Sequence, residues 1–172
     1  MTPTDYDRPS WLSVARGDAP LLVSIPHAGT AIPPPYDNGL KSLWIARKDT
    51  DWWIDRLYAP AIPVGTTVIR TSISRTVIDV NRDPAETSLY PGTATTGLCP
   101  TTTFDGEALY ENGTEPSAEA VRDRRRGFFD PYHAAMRAEI SRLRSLHPAV
   151  VVYDCHSIRS EIPRLFDGWS AP

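Results

Sequence analysis

The sequence predicts an α/β fold of three layers, with a mostly parallel or mixed sheet between helices. Three observations predict it. Two short apolar runs, Leu21-Leu22-Val23-Ser24-Ile25 and Ala149-Val150-Val151-Val152-Tyr153, are continuous rather than alternating, as expected of strands covered on both faces. Segments of helical periodicity lie between them, and alternating strands and helices imply a largely parallel sheet. The 172 residues suffice for one domain with a real core and are too few for two comfortable ones.

Taken in order, residues 1–20 read as a loose lead-in, because 1–18 is polar and broken by Pro3 and Pro9. A single domain then covers 21–172. The first strand, 21–25, is closed by Pro26 and Gly29. Asp49 or Thr50 can cap a helix over 51–58, where Trp53 and Leu57 stand one turn apart until Pro60 stops it. Trp44, Trp52 and Trp53 read as core or rim packing. Residues 66–71 and 76–80 are rich in β-branched side chains and read as two more strands. The stretch 90–116 has no periodicity and is long for a structureless connection, which suggests a functional loop or hairpin over a site. Ser117 caps a second helix running towards Phe129, with Glu119 near its positive end. Pro131 suits the first turn of a third, on which Tyr132, Met136, Ile140 and Leu143 recur at helical spacing up to His147-Pro148. The last strand is 149–153.

Composition excludes several classes of function. A net charge of -3 offers no basic field, so neither nucleic acid nor an anionic membrane surface is an expected partner. No apolar stretch approaches the ~20 residues that span a bilayer. Two cysteines make no disulfide framework, and no charged-then-apolar leader opens the chain, so a reduced, cytoplasmic setting is expected. The 17 prolines cluster in connections such as Ile32-Pro33-Pro34-Pro35, implying stiff, irregular loops.

Chemistry collects after the strands, where ligands bind in open α/β sheets. Pro26-His27-Ala28-Gly29 follows the first, Asn81-Arg82-Asp83 the strand at 76–80, and Asp154-Cys155-His156-Ser157 the last. Two neutral imidazoles and one carboxylate form a zinc site whose fourth position stays open for water. His27 and His156 are the imidazoles, and Asp49 or Asp51 can supply the carboxylate. Gly29 would let backbone approach a ligand closely. Arg75, Arg82 and Asn81 are suited to clamp a substrate carboxylate, since a guanidinium donates two parallel hydrogen bonds; a structural Asp79–Arg82 ion pair fits the same residues. His133 and His147 read as packing and helix-terminal side chains. Arg122-Asp123-Arg124-Arg125-Arg126 reads as a solvated helix face. Cys155 is a poor nucleophile, because neighbouring side chains on an extended segment point apart.

Five blocks in order carry a resemblance: Ser24-Ile25-Pro26-His27-Ala28-Gly29-Thr30, Asp49-Thr50-Asp51-Trp52, Ser74 through Arg82, Asp130-Pro131-Tyr132-His133, and Asp154-Cys155-His156-Ser157. Together they resemble the N-formylglutamate amidohydrolase family. The resemblance implies a zinc-carboxypeptidase-like fold and hydrolysis of N-formyl-L-glutamate to glutamate and formate, a late step of histidine catabolism. It implies one zinc ion on His27, Asp51 and His156, with Asp51 preferred to Asp49. It places Asn81 and Arg82 on the carboxylates of a small acidic substrate, Arg75 on the scissile carbonyl, and Asp154 behind a ligating imidazole.

Two departures accompany the match. The wider superfamily carries a carboxylate three residues after its first histidine, where this chain has Thr30. Family members also run longer, so the general-base glutamate is expected in a segment beyond Pro172. The rival readings are a non-catalytic remnant that keeps metal or carboxylate binding, and an amidohydrolase for another N-acyl amino acid. An incomplete edge and an uncovered face would favour a homo-oligomer.

Overall fold

The computed structural model describes residues 9–85 and 97–159. Four strands form one mixed sheet: β1 (Leu12–Ala15), β2 (Leu21–Ile25), β3 (Thr67–Thr71) and β4 (Val151–Asp154), in the order β1-β3-β2-β4. β2 pairs in parallel with β3 and with β4, and β1 runs antiparallel to β3 with Leu12 opposite Thr71. The lead-in is therefore not loose throughout. Leu12–Ala15 closes one edge of the sheet, and the Leu12 side chain is buried.

Alternation on β2 sends its side chains to both faces. Leu22 joins the larger core with Ile69, Phe128, Phe129, Tyr132 and Leu143, while Val23 and Ile25 join Ile54 and Cys155 on the other side. β4 departs from the expectation of a covered strand. All four of its residues are exposed, Val151 at 59% and Tyr153 at 48%, and among the described residues β4 is an edge strand.

The helices also differ from expectation. A one-turn helix, α1 (Leu43–Ala46), is capped by Ser42, whose hydroxyl accepts from the Trp44 amide. The helix expected over 51–58 shrinks to α2 (Ile54–Leu57), and 3-10 structure continues over Ala59–Val64 through Pro60. Its start is displaced because Trp53 takes the left-handed conformation, φ 65°. Trp44, Trp52 and Trp53 are exposed, at 82%, 50% and 62%, rather than packed. The two helices expected over 117–129 and from Pro131 are one rod: α3 (Ala118–Arg124), a π-helical turn (Arg125–Phe129) and α4 (Asp130–Leu146). Ser117 does cap it, accepting from the Ala120 amide. On this rod Arg124 turns inward and is buried, whereas Arg122, Arg125 and Arg126 stay in solvent.

Residues 76–80 are not a strand. They form a buried turn in which the Val77 amide returns to the Ser74 carbonyl and the Asp79 carboxylate accepts the Asn81 amide. Local capture by Ser74 and Asp79 overrides the β-branched propensity of the run. Of the loop at 90–116, residues 90–96 lie outside the described residues. The remainder folds back through a Thr102–Ala108 bridge, and Tyr110 bridges Leu40. No helix among the described residues is long and apolar enough to cross a membrane.

Candidate metal centre

The parallel pairing of β2 with β4 sets the centre. Ser24 lies opposite Asp154, and the Cys155 amide donates to the Ser24 carbonyl at 2.8 Å. The two strands thus end together, and His27 and His156 emerge side by side with ring centroids 4.9 Å apart. Asp51 is brought in by backbone: its amide donates to the His27 carbonyl at 3.0 Å.

Both imidazoles are held in the same way. His27 Nε2 donates to Asp79 Oδ1 at 2.6 Å, and His156 Nε2 donates to Asp154 Oδ2 at 2.9 Å. Each Nδ1 then faces Asp51 Oδ2, at 3.7 Å from His27 and 3.2 Å from His156. One potential ligand atom from each of the three residues lies within 4.8 Å of the others. In a tetrahedral zinc site with bonds of about 2.0–2.1 Å, ligand atoms sit roughly 3.3 Å apart, so the donor set fits. His27 Nδ1 supplies the second argument. It is buried with no hydrogen-bond partner, which is costly for a polar atom unless something else binds it.

The charges agree with a cation site. Burial opposes ionisation of Asp51, but hydrogen bonds from His156 and His27 outweigh it and hold the carboxyl well below the usual range. Asp79 is wholly buried; burial again works against ionisation, and Arg75, His27 and Arg82 overcome it. Hydrogen bonds to Asp154 and Asp51 push His156 up to about 9 in the metal-free protein. The Cys155 thiol is raised to about 11 by burial and by Asp154, which leaves it inert as a nucleophile.

The remaining sequence candidates stand in the same cluster. Arg75 is buried, donates to Asp79 Oδ2 at 2.6 Å and lies over the Phe104 ring at 4.7 Å. Arg82 Nε is 3.4 Å from the same oxygen and about one-third exposed. The Asn81 amide is 2.9 Å from His156 Nε2. Asp49 stands outside the triad: its Oδ2 accepts the Phe104 amide at 2.7 Å, and burial raises its pKa. His133 bonds the Val80 carbonyl and His147 the Asp18 carbonyl, both away from the triad. Gly29 does allow a close approach, but to backbone rather than ligand: a Cβ there would meet Ile73 O at 2.3 Å.

Two contributions were not read from the sequence. Asp79 holds His27 as well as the arginines, a role hidden because residues 27 and 79 are remote in the chain. Ser157 Oγ donates to the second Asp51 oxygen at 3.2 Å, and only its position next to His156 could have signalled it. Beside Asp51, a cavity of about 230 Å³ is lined by Lys48, Asp49, Phe104, Ser157 and Arg159, large enough for a small metabolite.

Comparison with known proteins agrees with this geometry. The N-formylglutamate amidohydrolase family model matches residues 19–172. The N-formylglutamate deformylase of Pseudomonas aeruginosa is 45% identical over 91% of this chain, and that of Pseudomonas putida 43% identical over 91%. The chain spans 59% and 58% of the length of these two relatives. The crystal structure of N-formylglutamate amidohydrolase from Ralstonia eutropha JMP134 superposes with TM-score 0.62 at 26% identity, covering 86% of this chain and 56% of that one. A gene product of Agrobacterium tumefaciens shares the fold, with TM-score 0.64 at 22% identity over 91% of this chain and 60% of that one. By sequence and by fold, the chain belongs to the N-formylglutamate amidohydrolase family.

Proposed function

We propose that this protein hydrolyses the formamide bond of N-formyl-L-glutamate, giving L-glutamate and formate, at a zinc centre held by His27, Asp51 and His156. In the cell this is a late step of histidine catabolism, carried out in the cytoplasm. The observation that carries the reading is the convergence of two imidazole Nδ1 atoms on Asp51 Oδ2, each ring held from behind by a second aspartate. When bound, the cation supplies Lewis-acid polarisation of a carbonyl and lowers the pKa of water.

The chain's own residues do the rest. Asp79 and Asp154 fix the tautomer of each histidine, keeping the Nδ1 lone pairs turned inward. Ser157 holds Asp51 by its other oxygen. Arg75, braced by Asp79 and Phe104, presents a fixed positive charge where the formyl oxygen gains negative charge. Arg82 and Asn81 clamp the glutamate carboxylates, placing the formyl carbon against the centre.

The acidic groups against the two histidines among the described residues are all aspartates that already hold an imidazole, and none of them stands free as a general base. That observation favours a second reading, a non-catalytic domain (the remnant) that keeps metal or carboxylate binding without turnover. Incubation of purified protein with zinc and N-formyl-L-glutamate, with formate and glutamate quantified, decides between them. Equal release of both products supports the hydrolase, and stoichiometric zinc without turnover supports the remnant. Turnover on larger N-acyl amino acids but not on formylglutamate would move the specificity to another acyl group.

A further inference from the structure

Arg124 and His133 are nine residues apart on the α3–α4 rod, yet both reach one turn of the chain. Arg124 Nη1 donates to the Val77 carbonyl at 3.0 Å, and His133 Nε2 donates to the Val80 carbonyl at 2.8 Å. Nine residues of α-helix, at about 100° each, would put these side chains on opposite faces. The π-helical turn Arg125–Phe129 lies between them and inserts one extra residue. Discounting that residue reduces the separation from about 180° to about 80°, which brings both side chains over the turn.

Its position makes the turn consequential. Val77 and Val80 bracket Asp79, whose carboxylate holds His27 Nε2 and Arg75. Asn81, against His156, follows directly. The same rod grips β2: Tyr132 and Ser24 share a 2.9 Å hydroxyl hydrogen bond three residues before His27. The turn also packs Phe128 and Phe129 side by side into the larger core, Phe128 against Trp11 and Tyr36, while a side chain at Gly127 would meet nothing within 4 Å.

We infer that the π-helical turn is a positioning device for the metal centre, setting Arg124 and His133 in register so that they hold the 75–82 turn and, through Asp79, the His27 ring. The inference deepens the metal-centre reading and rests on it for its effect on zinc affinity, but not for its first readout. The His27 Nε2 proton, hydrogen-bonded to Asp79 at 2.6 Å, is expected to give a downfield NMR signal that requires neither metal nor substrate. His133→Phe removes the donor to Val80, His133→Gln retains an N–H at a similar reach, and deletion of Arg126 returns the rod to a plain α-helix.

The expected result is a shifted or broadened His27 signal in His133→Phe and in the deletion, with recovery in His133→Gln. Zinc Kd, read by chelator competition, should weaken by roughly 3–10-fold in His133→Phe, less than the ~10–100-fold expected for a residue touching a ligand directly. A wild-type signal and Kd in folded His133→Phe would overturn the inference, as would a His133→Gln protein as impaired as His133→Phe. If the deletion fails to fold, the two His133 variants still decide. Wild-type protein that binds zinc but leaves N-formylglutamate intact overturns the functional reading alone.

Discussion

Asp79 accepts a 2.6 Å hydrogen bond from His27 Nε2, and this bond decides which face of the imidazole is offered to Asp51. Asp79→Asn keeps the shape but presents an amide that binds the ring less strongly and can stabilise the wrong tautomer. Zinc affinity is expected to fall ~10–100-fold, measured by competition with a chromophoric chelator. An unchanged affinity would show that His27 is oriented by packing alone.

Arg75 is a buried cation held by Asp79 and Phe104, and the proposed mechanism sets it against the formyl oxygen. In that proposal its charge acts on the transition state rather than on the bound substrate. Arg75→Met is expected to lower kcat by about 10²–10³ with little change in KM. Steady-state kinetics on N-formylglutamate check this, and a loss confined to KM would move Arg75 to substrate binding.

In the metal-free protein His156 is raised from 6.5 to about 9 by Asp154 and Asp51. A group whose folded pKa is raised stabilises the fold fully below its unfolded value, and that contribution is lost as pH rises through the folded value. The chelator-treated protein should therefore lose thermal stability between about pH 6.5 and 9, and His156→Gln should lose less over that window. Asp51 and Asp79 act at the other end, their contributions disappearing only as pH falls well below the ordinary carboxylate range. Melting curves across pH, with and without zinc, measure the difference.

Gly29 stands two residues after His27, and its backbone lies against Ser72 and Ile73. Gly29→Ala would place a methyl carbon 2.3 Å from the Ile73 carbonyl oxygen, where backbone has to move. A loss of about 1–3 kcal/mol is expected, as for overpacking elsewhere, read from the denaturant midpoint. A wild-type midpoint would mean that the two segments separate at little cost.

The parts of this molecule that were legible in sequence are those governed by local pattern. Leu21–Ile25, Thr67–Thr71 and Val151–Asp154 appear as apolar or β-branched runs because sheet burial selects such side chains. The histidines were legible because each follows a strand within two residues. What escaped depends on distant partners. Leu12–Ala15 is a strand only because β3 offers an edge to it. Residues 76–80 have strand composition, but the side chains of Ser74 and Asp79 take their neighbours' amides. The left-handed Trp53 and the π-helical turn leave no periodic trace, since apolar spacing continues on either side of the rod. The role of Asp79 joins a turn to a strand end 52 residues earlier, which no spacing rule connects.

The most direct measurement is the zinc content of purified protein by elemental analysis, comparing wild type with His27→Ala and with His27→Ala/His156→Ala. One zinc per chain in wild type and less than about one-tenth in either variant, with the folds intact by circular dichroism, is the expected result. Stoichiometric zinc retained without His27, or none bound by wild type after exposure to excess metal, would contradict the metal centre.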